Sequence, residues 1–135
     1  MKLQAVILIT TGVVLTAGIL LLHLPERETP IPAATETDRQ LWLFAQGYKG
    51  REISAEEIVV PDPEDPVFAD YAAMQAEQGL PLDRYAGQPA VRCIYELEQT
   101  PLYAELLVSD GVLIGAMCCD PAEHTMRRIS GKPYP

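Results

Sequence analysis

The sequence predicts an α+β protein. It reads as an N-terminal transmembrane helix followed by a small domain, in which an antiparallel meander of three to five strands packs against two helices. Three observations carry this. Residues 5–24, AVILITTGVVLTAGILLLHL, contain no Asp, Glu, Lys or Arg. Two helix-period segments are each stopped by glycine, and the C-terminal third alternates apolar and polar residues around an Asp-Gly turn.

The apolar segment comes first. Twenty helical residues rise about 30 Å, the thickness of a bilayer's hydrocarbon core. A cleaved secretory signal would have a shorter apolar region and a small-residue cleavage site. Cutting after LTAG would leave ILLLHLP as the new amino terminus, so residues 1–24 read as an uncleaved anchor. Lys2 precedes the span, whereas Glu26 and Glu28 flank Arg27 after it. Positive charge stays inside, which predicts a single-pass cell-membrane protein with a cytoplasmic N-terminus and an extracytoplasmic C-terminal domain.

Residues 25–37 hold three prolines, mixed charge and no periodicity, and read as a linker. The exterior domain is placed at 38–127 and a flexible tail at 128–135. The chain has 10 Lys and Arg against 19 Asp and Glu, a net charge of −9. That field repels phosphate backbones, so nucleic acid is excluded as a partner.

Thr37 and Gln40 have capping-box spacing and open a helix over DRQLWLFAQ, with Leu41, Phe44 and Ala45 as its apolar stripe and Gly47 as its stop. YKGREISAEEIVVP follows as one or two strands ended by Pro61. Asp65 and Pro66 start a second helix that runs to about Gln78. One face of that helix carries Val67, Tyr71, Met74 and Gln78, with Phe68, Ala72 and Gln75 alongside.

AVRCIYELE, LYAELLVS and VLIGAMCC are three strands. Asp110-Gly111 joins the last two and sets Ser109 against Val112, Leu107 against Ile114, Glu105 against Ala116 and Tyr103 against Cys118. A turn at Gln99-Thr100 sets Cys93 against Leu106. Alternation then gathers Cys93, Tyr95, Leu97, Ala104, Leu106, Leu113, Gly115, Met117 and Cys119 on one buried face. The other face is expected to be open, with Ile94, Tyr103, Leu107 and Ile114 interrupting its charges as a binding surface.

GAMCCDPAEH is the most chemical stretch. On this register Cys119 is a small core side chain, Cys118 is semi-exposed, and DPAEH is the turn leaving the sheet. Cys93 and Cys119 lie too far apart for a disulfide. Neighbouring strand residues point to opposite faces, so Cys118, Cys119 and His124 do not form a metal site by alternation, and Asp120 and Glu123 would disfavour a thiolate. No phosphate loop, Gly-x-Ser-x-Gly elbow or His-Glu-x-x-His occurs. No catalytic residue, metal or cofactor is assigned.

VFADYAAMQAEQGLPLDRYAGQPAVRCIYELE and AELLVSDGVLIGAMCC also carry a resemblance. Gly79, Leu82, Tyr85 and Gly87, the Leu107 to Gly111 hairpin and Tyr48 after AQG resemble the bacterial family catalogued as domain of unknown function 4830. The similarity runs from Asp38 to near Asp120, with a shorter loop at Gln99 to Pro101. It implies a membrane-anchored or exported small domain, and implies no activity, cofactor or catalytic residue. The expected function is a non-catalytic module of the bacterial cell envelope that binds a protein or peptide. The alternative is a thiol- or metal-dependent enzyme or redox factor using Cys118, Cys119 and His124.

Overall fold

A computed structural model describes residues 29–129. The span expected at residues 5–24 and the end of the expected tail lie outside the described residues. Among the described residues no helix is long and apolar enough to cross a membrane. The described chain is an α+β domain: α1 (Glu36–Ala45), β1 (Gly50–Val59), α2 (Ala69–Glu77), a 3₁₀ turn (Leu82–Tyr85), β2 (Pro89–Leu97), β3 (Tyr103–Ser109), β4 (Val112–Asp120) and β5 (Thr125–Arg127). The strands form one antiparallel meander in the order β1-β2-β3-β4-β5.

Both hairpin turns lie where the sequence puts them. Asp110 and Gly111 have φ of 50° and 72°, the doubly positive pattern of a type I′ turn, and Gln99 is also left-handed at 61°. Cys93 pairs with Leu106 and Ser109 with Val112, as expected.

Beyond Val108↔Leu113 the register differs. Leu107 pairs with Gly115, Glu105 with Met117 and Tyr103 with Cys119. Ile114 is an extra residue, a β-bulge, and everything after it changes face. Ile114 and Gly115 both lie towards the second face, and glycine leaves space there for the Tyr71 hydroxyl, 3.2 Å from where a Cβ would stand. Ala116 and Cys118 therefore enter the first core layer, while Met117 joins the second. The expectation that Gly115, Met117 and Cys119 face the main core is corrected by this one residue.

Each face of the sheet carries a core layer. The first layer gathers Leu43 of α1, Cys93, Tyr95, Leu106, Leu113 and Ile129. The second gathers Tyr71 of α2, Leu82, Leu107 and Ile114. Each fully buried large aliphatic contributes about 1.5–3 kcal/mol against the entropy of ordering the chain.

The start of α1 is set by Thr35, whose hydroxyl accepts from Asp38 N–H while the Asp38 carboxylate accepts from Thr35 N–H. This capping box lies two residues before the expected one. Leu43 is the buried residue of α1, whereas Leu41 and Phe44 are each 63% exposed. Arg39 occupies the inner face instead. Its guanidinium donates to the Tyr95 hydroxyl at 3.0 Å and the Ala33 carbonyl at 3.0 Å, and pairs with Glu52 at 3.3 Å. α2 begins later than expected because Asp65 forms a turn, accepting from Val67 N–H at 3.0 Å. Tyr71 and Gln75 are buried as expected, but Val67 is 96% exposed.

The two ends of the domain reach further than the sequence boundaries. Leu113 N–H donates to the Ile31 carbonyl and Ala33 N–H to the Gly111 carbonyl, so the expected linker borders β4. Ile129 is wholly buried, although residue 128 was expected to begin the tail.

Candidate functional site

The Cys118-Cys119 pair is divided between the two sides of the sheet. Cys118 is 1% exposed in the first layer, and burial pushes its thiol up to about 11. Cys119 is half-buried and lies on the second face, opposite Met126. The assignment of Cys119 to the core and Cys118 to the surface is thus reversed by the bulge. Cys93 is buried in the first layer and is also pushed up to about 11 by burial. All three cysteines are free.

DPAEH turns β4 into β5. The Asp120 carboxylate accepts from Ala122 N–H at 3.0 Å and Glu123 N–H at 3.3 Å, while His124 takes a left-handed φ of 55° on the surface. Cys118, Cys119 and His124 therefore do not assemble into one site. Among the described residues no group of three or more His, Cys, Asp or Glu is placed to hold a metal ion.

The anticipated surface of Ile94, Tyr103, Leu107 and Ile114 is also divided. Leu107 and Ile114 are buried at 2% and 0%. They pack with Tyr71 of α2. Ile94 and Tyr103 remain half-buried on the uncovered part of the same face. Between these two regions lies a cleft of about 430 Å³, bounded by the end of β1, the entry to α2 and the sheet. Ile58, Phe68, Tyr71, Leu107, Met117 and Met126 supply its apolar lining. Phe68 and Tyr71 stack at 5.0 Å between ring centroids. Val59, 64% exposed, and Val67 form its rim.

The polar groups of the cleft come from two strands and a helix. Glu105 on β3 accepts from the Tyr71 hydroxyl at 3.4 Å. Burial raises its carboxyl above the ordinary value, although the nearby Arg92 guanidinium acts in the opposite direction. Burial raises the Tyr71 phenol as well. Arg92 on β2 is ion-paired with Glu56 on β1, its direct cross-strand partner. The Arg92 Nε is buried and has no hydrogen-bond partner among the described residues. Alternation puts Arg92 and Glu105 on this face, but sequence reasoning did not bring the four residues together. Glu56 and Arg92 meet only through the β1–β2 register, and Tyr71 and Glu105 only through the docking of α2.

Chemically, the cleft offers an adaptable apolar wall, one carboxyl, one guanidinium and one phenol. The methionines conform to irregular apolar partners, and the buried polar groups orient whatever enters. The two buried thiols, Cys93 and Cys118, lie on the opposite side of the sheet, whereas Cys119 is on the face that carries the cleft. No protein-family model, curated protein or solved structure matches the chain.

Proposed function

We propose that the protein is a non-catalytic binding module, tethered to a bacterial cell membrane by residues 5–24, whose exterior domain captures a peptide segment of another envelope protein. The uncharged apolar run and its flanking charges support the tether and the orientation. The resemblance to domain of unknown function 4830 agrees with that layout, and membership of that family is part of the proposal.

The observation that carries the binding reading is the cleft on the second sheet face. It combines exposed Val59, Val67 and Met126 with a floor of buried apolar side chains. A rim of this kind on an acidic domain fits a ligand that presents apolar side chains flanked by Lys or Arg. The loop beside the rim carries Asp62, Glu64 and Asp65, which supply the complementary charge.

A peptide-display selection on the full chain in detergent tests this. The expected result is enrichment of apolar-basic peptides whose binding weakens with salt and falls at least tenfold in Val67→Asp. That residue is exposed enough for the substitution to leave the fold intact. Failure to enrich any peptide, or equal binding by Val67→Asp, removes the proposal.

A further inference from the structure

Three sulfur-bearing side chains share one small area of the second sheet face. Cys119 on β4 is directly opposite Met126 on β5. Cross-strand partners of this kind place their Cβ atoms about 4.5–5.5 Å apart. Met117 precedes Cys119 by two residues on the same strand, so it points to the same side about 6–7 Å along it. Met117 and Met126 both line the same cleft. Cys119 is free and half-buried, Met117 is half-buried, and Met126 is 44% exposed, so the group is neither sealed in the core nor fully in solvent.

We infer that Met117, Cys119 and Met126 form a site for a soft monovalent cation, Cu(I). Thiolate and thioether donors select Cu(I) over the harder divalent ions. Zinc would ask for a set of His, Cys, Asp or Glu ligands, and the described residues provide none. Two methionines, each with three rotatable side-chain bonds, can draw their sulfurs towards a fixed thiolate without moving the strands. On binding, the Cys119 thiol gives its proton to solvent, its sulfur forms the charged bond, and each thioether donates a lone pair. The resulting site is electrically neutral and no electron is transferred. Tyr103, opposite Cys119 on β3, and Glu105, opposite Met117, flank the trio on its inner side.

The bulge at Ile114 creates this arrangement. Without the extra residue Met117 and Cys119 would point into the first core layer. With it, the one cysteine that escapes the core lands beside two methionines. This inference is independent of peptide capture but shares Met117 and Met126 with it, and substitution of Cys119, which lies outside the cleft lining, separates the two.

The test is an anaerobic titration of the reduced full chain in detergent with Cu(I) supplied from a chromophoric chelator, together with X-ray absorption at the copper edge. The expected result is one equivalent bound in an all-sulfur shell. Cys119→Ser, at a position outside the cleft lining, should weaken copper binding at least tenfold while leaving the circular dichroism spectrum and peptide binding unchanged. Met126→Leu and Met117→Leu should each weaken copper binding with the circular dichroism spectrum unchanged. No binding, nitrogen or oxygen scatterers in the first shell, or wild-type affinity in folded Met126→Leu would each overturn the site.

Discussion

The side-chain carbonyl oxygen of Gln75 accepts the backbone N–H of Ala116 at 2.8 Å, so a helix residue stands where a neighbouring strand would otherwise pair with β4. Gln78 completes the contact. Its amide donates to the Ala116 carbonyl at 2.8 Å and to the Gln75 side-chain oxygen at 3.0 Å, and its own oxygen accepts from Ile129 N–H at 2.9 Å. The β4 edge is thus bordered in sequence by Ile31–Ala33, this amide pair and β5. Two glutamines three apart on a helix replace two ladder bonds and fix α2 over the sheet.

Removing that support should be costly. Gln75 is wholly buried, and Gln75→Leu keeps its bulk while leaving the Ala116 N–H unpaired. An unsatisfied buried donor costs about 1–3 kcal/mol. Urea unfolding of Gln75→Leu, Gln78→Leu and the double variant should show non-additive losses, because the two side chains hydrogen-bond each other and both bind the backbone of Ala116. Purely additive losses would mean that the two amides act separately.

Gly115 should resist even a methyl group. A Cβ there would stand 3.2 Å from the Tyr71 hydroxyl and 3.4 Å from Leu107 Cδ1, in the layer that seats α2. Overpacking of this kind costs about 1–3 kcal/mol. Gly115→Ala is expected to lower the urea midpoint and disturb the tyrosine near-ultraviolet signal. An unchanged midpoint would show that Tyr71 yields freely.

Glu105 gives stability a pH dependence of defined sign. Its carboxyl is raised in the folded domain, chiefly by burial, so the native state holds this proton more tightly than the unfolded chain. The stability contributed by the protonated form is present at low pH and declines as pH rises from the ordinary carboxyl value through the folded one. Comparing urea midpoints of wild type and Glu105→Gln from about pH 4 upwards isolates the effect. The difference should shift in favour of Glu105→Gln as pH rises, and the opposite trend would contradict the burial of this carboxyl.

The three thiols should differ in reactivity. Cys93 and Cys118 are each 1% exposed and pushed up to about 11, so both the thiolate population and access are small. In native protein at neutral pH, an aromatic disulfide reagent should modify Cys119 first, and the other two only on unfolding. Peptide mapping of the modified chain checks the order. Labelling of Cys118 before Cys119 would place the bulge wrongly.

Much of the sheet was legible because its determinants are local. Asp110-Gly111 favours a turn with two positive φ values, and Val112 then meets Ser109 regardless of the rest of the chain. The Gln99 turn works the same way and sets Cys93 against Leu106. The α1 stripe was less legible. Leu41 and Phe44 are apolar but face outward, because Arg39 has its partners on Tyr95, Ala33 and Glu52, remote positions that a helical wheel cannot show. The cleft was partly visible, since Leu107 was assigned to the second face. Its other walls depend on where α2 settles.

By itself the sequence determined the α+β class, the three central strands and their two connecting turns, since alternation and turn chemistry act over a few residues. The tertiary structure decided which side of β4 each residue faces. One extra residue at Ile114 reverses that choice, and alternation within a strand records relative facing, not absolute register. What selects the bulge is long-range packing: Tyr71 occupies the space over Gly115, and Gln75, 41 residues before Ala116, holds the strand beyond it.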